Sequence, residues 1–223
     1  ICSKKYDLNM DEEISIIDNN TRNEKIRNFF VNNKKNLIIG VTVIILGLVV
    51  FFSLSKIKER NKVKLANKFN LVKINYKENQ KQTAINKLVE IINQNDVTYS
   101  PLALYFLLDN DLIEDNSKIN RLFDELINQT NLNTEIKNLI IYKKALFNSN
   151  FTTENDLLQI LNPIINSKSI WKSHALYLLG EFFYSKDEKQ KAKEFFNQIL
   201  ITTNSNTSIK IESQKRLNRD FSE

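Results

Sequence analysis

Residues Leu37 to Leu54 read LIIGVTVIILGLVVFFSL, eighteen positions without a charge and with Thr42 and Ser53 as the polar members. Backbone N–H and C=O groups in hydrocarbon must be satisfied within the segment, so a run of this kind is helical. At 1.5 Å per residue it reaches about 27 Å, close to the ~30 Å core of a bilayer. Lys34 and Lys35 precede it and Lys56, Lys58 and Arg60 follow, which sets candidate lipid-headgroup cations at both ends. Two rivals stand beside a membrane span. A buried helix of a soluble core is one. A cleavable signal peptide is the other, but its apolar region usually runs about 7–15 residues and ends at small residues. This run ends in Phe51-Phe52-Ser53-Leu54-Ser55-Lys56, and we read it as an uncleaved anchor with a single span. Gly40 and Gly47, seven apart, fall on nearly one helix face and are candidates for packing against another membrane helix, or incidental in a lipid-facing one.

The net charge of +6 is not spread evenly. Residues 1–36 carry 7 basic and 6 acidic side chains, residues 55–82 carry 9 basic against Glu59 and Glu78, and residues 83–223 carry 16 basic and 18 acidic. The excess therefore follows the apolar run directly. Anionic headgroups are the natural counter-surface for cations in that position, at roughly 1 kcal/mol each near the surface. A nucleic-acid partner is the weaker reading, because no aromatic residues interleave with the cations as a base-stacking platform requires. Orientation does not follow from charge. Five cations (Arg22, Lys25, Arg27, Lys34, Lys35) on one side face six (Lys56, Lys58, Arg60, Lys62, Lys64, Lys68) on the other.

Composition removes most chemistry. Three glycines build few phosphate-cradling loops, Cys2 has no partner for a disulfide or thiolate site, and His174 is the single histidine. Paired carboxylates at Asp109/Asp111, Glu114/Asp115, Asp124/Glu125 and Asp187/Glu188 fall at helix ends or on polar faces, where capping or solvation accounts for them. No catalytic residue, metal ligand or cofactor-binding residue is assigned, and no cofactor is expected. An enzyme drawing its acid and base from those pairs is the reading from another class.

Tail residues 1–36 are too few for an independent fold. The chain opens Ile1-Cys2-Ser3, with Met10 as an alternative start, and Ile14, Ile17, Ile26, Phe29 and Phe30 suit an amphipathic helix leading into the span. From residue 57 onward apolar positions recur at three- and four-residue spacing. Helices fit 57–77, 80–94, 100–110, 117–129, 134–149, 154–167, 171–185, 188–201 and 207–219, with turn chemistry between them and no two-residue alternation. Short links make neighbouring helices antiparallel.

One pair is specific. In KSHALYLLGEFFYSKDEKQKAKEFFNQIL, residues Leu176, Leu179, Gly180 and Phe183 line one side of the first helix, and Ala192, Phe196 and Ile199 line the second. Gly180 and Ala192 predict a close crossing, with Phe183 and Phe196 on its flanks. This is the spacing of the tetratricopeptide repeat, whose period is near 34 residues. Lys62–Asn93 is a degenerate copy, and Pro101–Gln129 and Asn138–Asn166 look like further pairs, with Ala103, Tyr105, Phe123, Tyr142, Ala145 and Phe147. A helical bundle with coincidental spacing is the alternative. The fold expected is all-α: a tail (1–36), a transmembrane helix (37–54), a basic juxtamembrane helix (55–82), then a tetratricopeptide-like α-solenoid of antiparallel helix pairs (83–223).

That order of parts resembles the ancillary Sec translocon subunit family of Gram-negative bacteria. The segment IIDNNTRNEKIRNFFVNNKKNLIIG (16–40) is similar to the family's stretch entering the anchor. IWKSHALYLLGEFFYSKDEKQKAKEFFNQIL (170–200) looks like its last repeat, with Ser185-Lys186-Asp187 where the family has a glycine turn, and SIKIESQKRLNRDF resembles its closing helix. The resemblance implies a single-pass protein of the bacterial inner membrane, amino end cytoplasmic and repeat domain periplasmic. It also implies a non-enzymatic interaction protein whose partners are translocon subunits, periplasmic chaperones or secretory clients. An adaptor for envelope assembly or cell division would share these features and differ in its partner.

Overall fold

The computed structural model describes residues 22–76 and 80–221, and among these the chain is helical with no strand. Cys2, Met10, Ile14 and Ile17 lie outside the described residues, as do Lys77 and Glu78. The chain divides into two compact units, up to Asn61 and from Lys62.

The first unit holds α1 (22–32) and the opening of α2 (Lys34–Asn75). Asn33 interrupts the helix only briefly, since its N–H still donates to the Phe29 carbonyl and its own carbonyl accepts from Leu37 N–H at 2.9 Å. Ile26, Phe29 and Phe30 are exposed. The sequence divides a span ending at Leu54 from a helix starting near 57, but α2 crosses that boundary unbroken. Its cause is local: no glycine or proline follows Gly47 within α2, and Lys56 and Glu59 pair at 3.1 Å one turn apart.

The second unit begins with the end of α2 and continues through α3 (Lys81–Ile92), α4 (Tyr99–Asp109), α5 (Asn116–Gln129), α6 (Thr134–Asn148), α7 (Glu154–Ile165), α8 (Lys172–Ser185), α9 (Lys189–Ile201) and α10 (Thr207–Asp220). Of the eight helices from α3 to α10, five start for a local reason. Asp115 accepts from the N–H groups of Ser117 and Lys118, Asn133 from Ile136, Thr153 from Asp156, and Asn206 from Ser208 and Ile209. These side-chain caps satisfy amides that the helix itself leaves without a partner. Pro101 sits in the first turn of α4, where its missing N–H costs nothing.

From α3 onward each helix packs on the next, and α3 on α5, α6 on α8 and α8 on α10 also touch. Two apolar clusters result. One runs from Phe69 and Leu88 through Leu104 and Phe123 to Ile140, and the other from Ile141 and Leu161 through Leu179 to Phe196 and Ile199. Ile127 packs against both, so the second unit has one continuous core.

The helix starts are regularly spaced. Tyr99, Thr134, Lys172 and Thr207 follow one another at steps of 35, 38 and 35 residues. Lys81, Asn116, Glu154 and Lys189 repeat the same three steps. The three additional residues of the middle step fall in α6 and the turn after it, the stretch common to both series.

Candidate functional site

In the first unit the candidate surface is the apolar stretch of α2, which is long and apolar enough to cross a membrane and is covered by none of the described residues. Ile45 is 54% exposed and Phe52 66%. Buried cores do not leave large apolar side chains in this state over so many turns, so the surface calls for an apolar environment of its own. Lys34, Lys35, Lys56, Lys58 and Arg60 are all exposed at its two ends. Gly40 and Gly47 have open space where a Cβ would stand.

In the second unit the residues singled out for packing meet. Leu176, Leu179, Gly180, Phe183, Ala192, Phe196 and Ile199 are all buried between α8 and α9. One detail differs from the spacing-based expectation. Phe196 is not on the flank: its ring covers Gly180, which is where the missing side chain makes room. Phe183 stacks on Phe195 with rings 5.4 Å apart.

Polar side chains tie positions one step apart. Ser169 Oγ donates to Glu135 at 2.7 Å, Lys191 to Glu154 at 3.0 Å, and the Asn206 amide to Ser173 Oγ at 3.1 Å. Thr130 Oγ1 donates to Asn95 Oδ1 at 3.2 Å. Arg216 closes the series with a two-pronged pair to Glu181 at 2.6 and 2.7 Å. These partners are 33 to 37 residues apart.

Sequence reading missed a row of half-buried aromatic side chains crossing α4, α6 and the start of α8. The Lys143 ammonium lies 4.8 Å over the Tyr105 ring. The preceding residue, Tyr142, stacks on Trp171 at 6.0 Å and meets His174 edge-on at 5.9 Å. Burial pushes the Tyr105 phenol up to about 12 and raises that of Tyr142. Tyr177 is likewise pushed to about 12, by burial first and by Glu181 second. His174 is held below its ordinary value by burial, with the backbone of Ile170 opposing. All four rings therefore stay uncharged at neutral pH. The recurrence of Tyr105, Tyr142 and Tyr177 at near-equal steps was the available signal.

Three of the acidic residues have local structural roles. Asp115 caps α5, Asp124 accepts from Lys144 at 2.7 Å, and Asp187 occupies the tight turn before α9 with φ 61°. Asp109, Asp111 and Glu114 are exposed. Among the described residues no three His, Cys, Asp or Glu side chains gather to hold a metal ion. Comparison of the chain with models of protein families, with curated proteins and with solved structures finds no match.

Proposed function

We propose that this chain is a membrane-anchored, non-enzymatic interaction scaffold, tethered through Leu37–Leu54 and presenting a tetratricopeptide-like α-solenoid to other proteins. The observation that carries this reading is the matched 35, 38 and 35-residue stepping of two interleaved helix series. Such stepping is what stacked helix pairs produce when each buries its apolar face on its neighbours. The polar ties one step apart support it further. In this reading Lys34, Lys35, Lys56, Lys58 and Arg60 meet anionic headgroups, and Gly40 and Gly47 offer the close-approach face of the span. The half-buried aromatic row is the first surface on which a partner is placed.

The resemblance to the ancillary Sec translocon subunits supplies the compartment and the partner class: inner membrane, amino end cytoplasmic, repeats periplasmic, and translocon subunits, chaperones or clients as partners. A compartment-sensitive reporter fused after Glu223 tests it. Activity in the periplasm, retention of the full chain after carbonate washing and crosslinking to translocon or secretory chaperone subunits are the outcomes expected. A cytoplasmic reporter signal removes the export reading, and recovery in the soluble fraction removes the anchor.

A further inference from the structure

An open cleft of about 560 Å³ lies between two links of the second unit, the one joining α7 to α8 and the one joining α9 to α10. Its size falls in the range of ligand-holding clefts. The walls are tied together, because the Asn206 amide in one link donates to Ser173 Oγ beside the other at 3.1 Å.

The lining is one-signed. Lys168 and Lys172 contribute two ammonium groups, no carboxylate lines the cleft, and neither lysine forms an ion pair among the described residues. Glu135, bonded to Ser169 Oγ and the Ile170 amide, already has donors of its own. Other lysines of this unit, such as Lys118, Lys137 and Lys193, are also without an ion pair among the described residues; what sets Lys168 and Lys172 apart is that both line one cleft. Thr203 and Asn204 add hydrogen-bonding groups to the opposite wall. The N-cap residue of α8, Trp171, supplies no side-chain acceptor, so the positive end of that helix dipole adds to the same field. On the rim, Ile201 is 82% exposed, more than any other large apolar residue described.

We propose that this cleft docks an extended acidic peptide segment of a protein partner. Its carboxylates pair with Lys168 and Lys172, its backbone meets Thr203 and Asn204, and a neighbouring apolar side chain lies on Ile201. Charge complementarity chooses the occupant: two free cations, hydrogen-bonding groups along the facing wall and one apolar contact match a chain that alternates carboxylates with aliphatic residues. The proposal rests on the scaffold reading above and names the partner chemistry and the place where it binds.

The test uses the full chain in detergent and, as probe, a fluorescein-labelled short peptide of alternating Glu and Val, followed by anisotropy. Saturable binding is expected, weakening several-fold as salt rises from about 0.15 to about 0.5 M. Lys168→Glu with Lys172→Glu is expected to weaken it about tenfold. Lys62→Glu with Lys64→Glu makes the same change in net charge on exposed positions of α2 and is expected to leave binding within about twofold. Both double variants are checked for unchanged helical circular dichroism. Equal loss in the two variants, equal binding of a Lys–Val peptide, or no saturable binding overturns the proposal. So does displacement by phosphatidylglycerol vesicles as complete as by unlabelled peptide, which assigns the cleft to lipid. Carbonate washing and crosslinking of the membranes before detergent is added report on the anchored scaffold separately, so loss of peptide binding alone removes the cleft and not the scaffold.

Discussion

The Phe196 ring rests on Gly180, with its Cε1 2.6 Å from the point a Cβ on that glycine would occupy. The ring has little room to retreat, being fully buried with Tyr177 at 5.5 Å and Phe221 at 6.0 Å between centroids. Gly180→Ala therefore overpacks the α8–α9 crossing, at about 1–3 kcal/mol. Better helix propensity returns at most about 1 kcal/mol. The net expectation is a loss of up to about 2 kcal/mol in denaturant unfolding. Adding Phe196→Leu, which withdraws the ring, should cost less than the two single changes summed.

Arg216 is held on every side. It forks onto Glu181, pairs with Asp220 and lies 4.4 Å over the Tyr184 ring, with its side chain 12% exposed. Burial opposes its charge, but Glu181 and Asp220 outweigh that and raise its pKa. Arg216→Ala leaves Glu181 without its cation, while Asp220 keeps Arg219 at 2.8 Å. Breaking a buried pair costs about 3–5 kcal/mol, and partial exposure of Glu181 reduces this to about 2 kcal/mol. Arg216→Lys keeps the charge but not the fork and should fall between wild type and Ala, as read from thermal midpoints.

Stability should fall through His174 as the pH drops below about 6.5. Burial lowers its pKa from 6.5, so the unfolded chain takes up this proton at higher pH than the folded one. The contribution of the neutral ring is therefore complete above about 6.5 and declines below it. Glu188 and Asp220, held below 4.5 and 3.8 chiefly by hydrogen bonds from neighbours, enter only in more acid solution. As His174 is the single histidine, His174→Phe should flatten the thermal midpoint across this window.

Ile45 lies at the middle of the apolar run and is exposed. A cation there costs about 2.5–3.5 kcal/mol of insertion free energy. Ile45→Arg should move a measurable fraction of the chain into the carbonate-soluble extract, whereas Ile45→Leu should leave it in the pellet. An unchanged pellet for the arginine variant would argue that this stretch does not lie in hydrocarbon.

Helices of the second unit were legible because their apolar positions recur at 3.6-residue spacing and because turn chemistry separates them. Gly180 and Phe196 were legible as packing residues. Their mutual placement was not, since periodicity gives the stripe a residue belongs to and not the residue it faces across a crossing. The continuity of α2 was hidden by a change in polarity at Ser53–Lys56, which alters the surroundings of a helix without ending it. The aromatic row escaped because Tyr105, Tyr142 and Trp171 sit on separate segments and no local motif joins them. The cleft at Lys168 and Lys172 escaped for the same reason, being assembled from two links that are distant in the chain.

The matched stride of the two helix series has a genetic corollary. An in-frame loss of 35 residues between Lys81 and Asn116 splices one helix start onto its counterpart and restores familiar neighbours on both sides of the scar. A loss of half that length joins unlike starts and strands two apolar faces. In the proposed scaffold, recombination can thus remove or add whole helix pairs while the contacts between the remaining neighbours are kept.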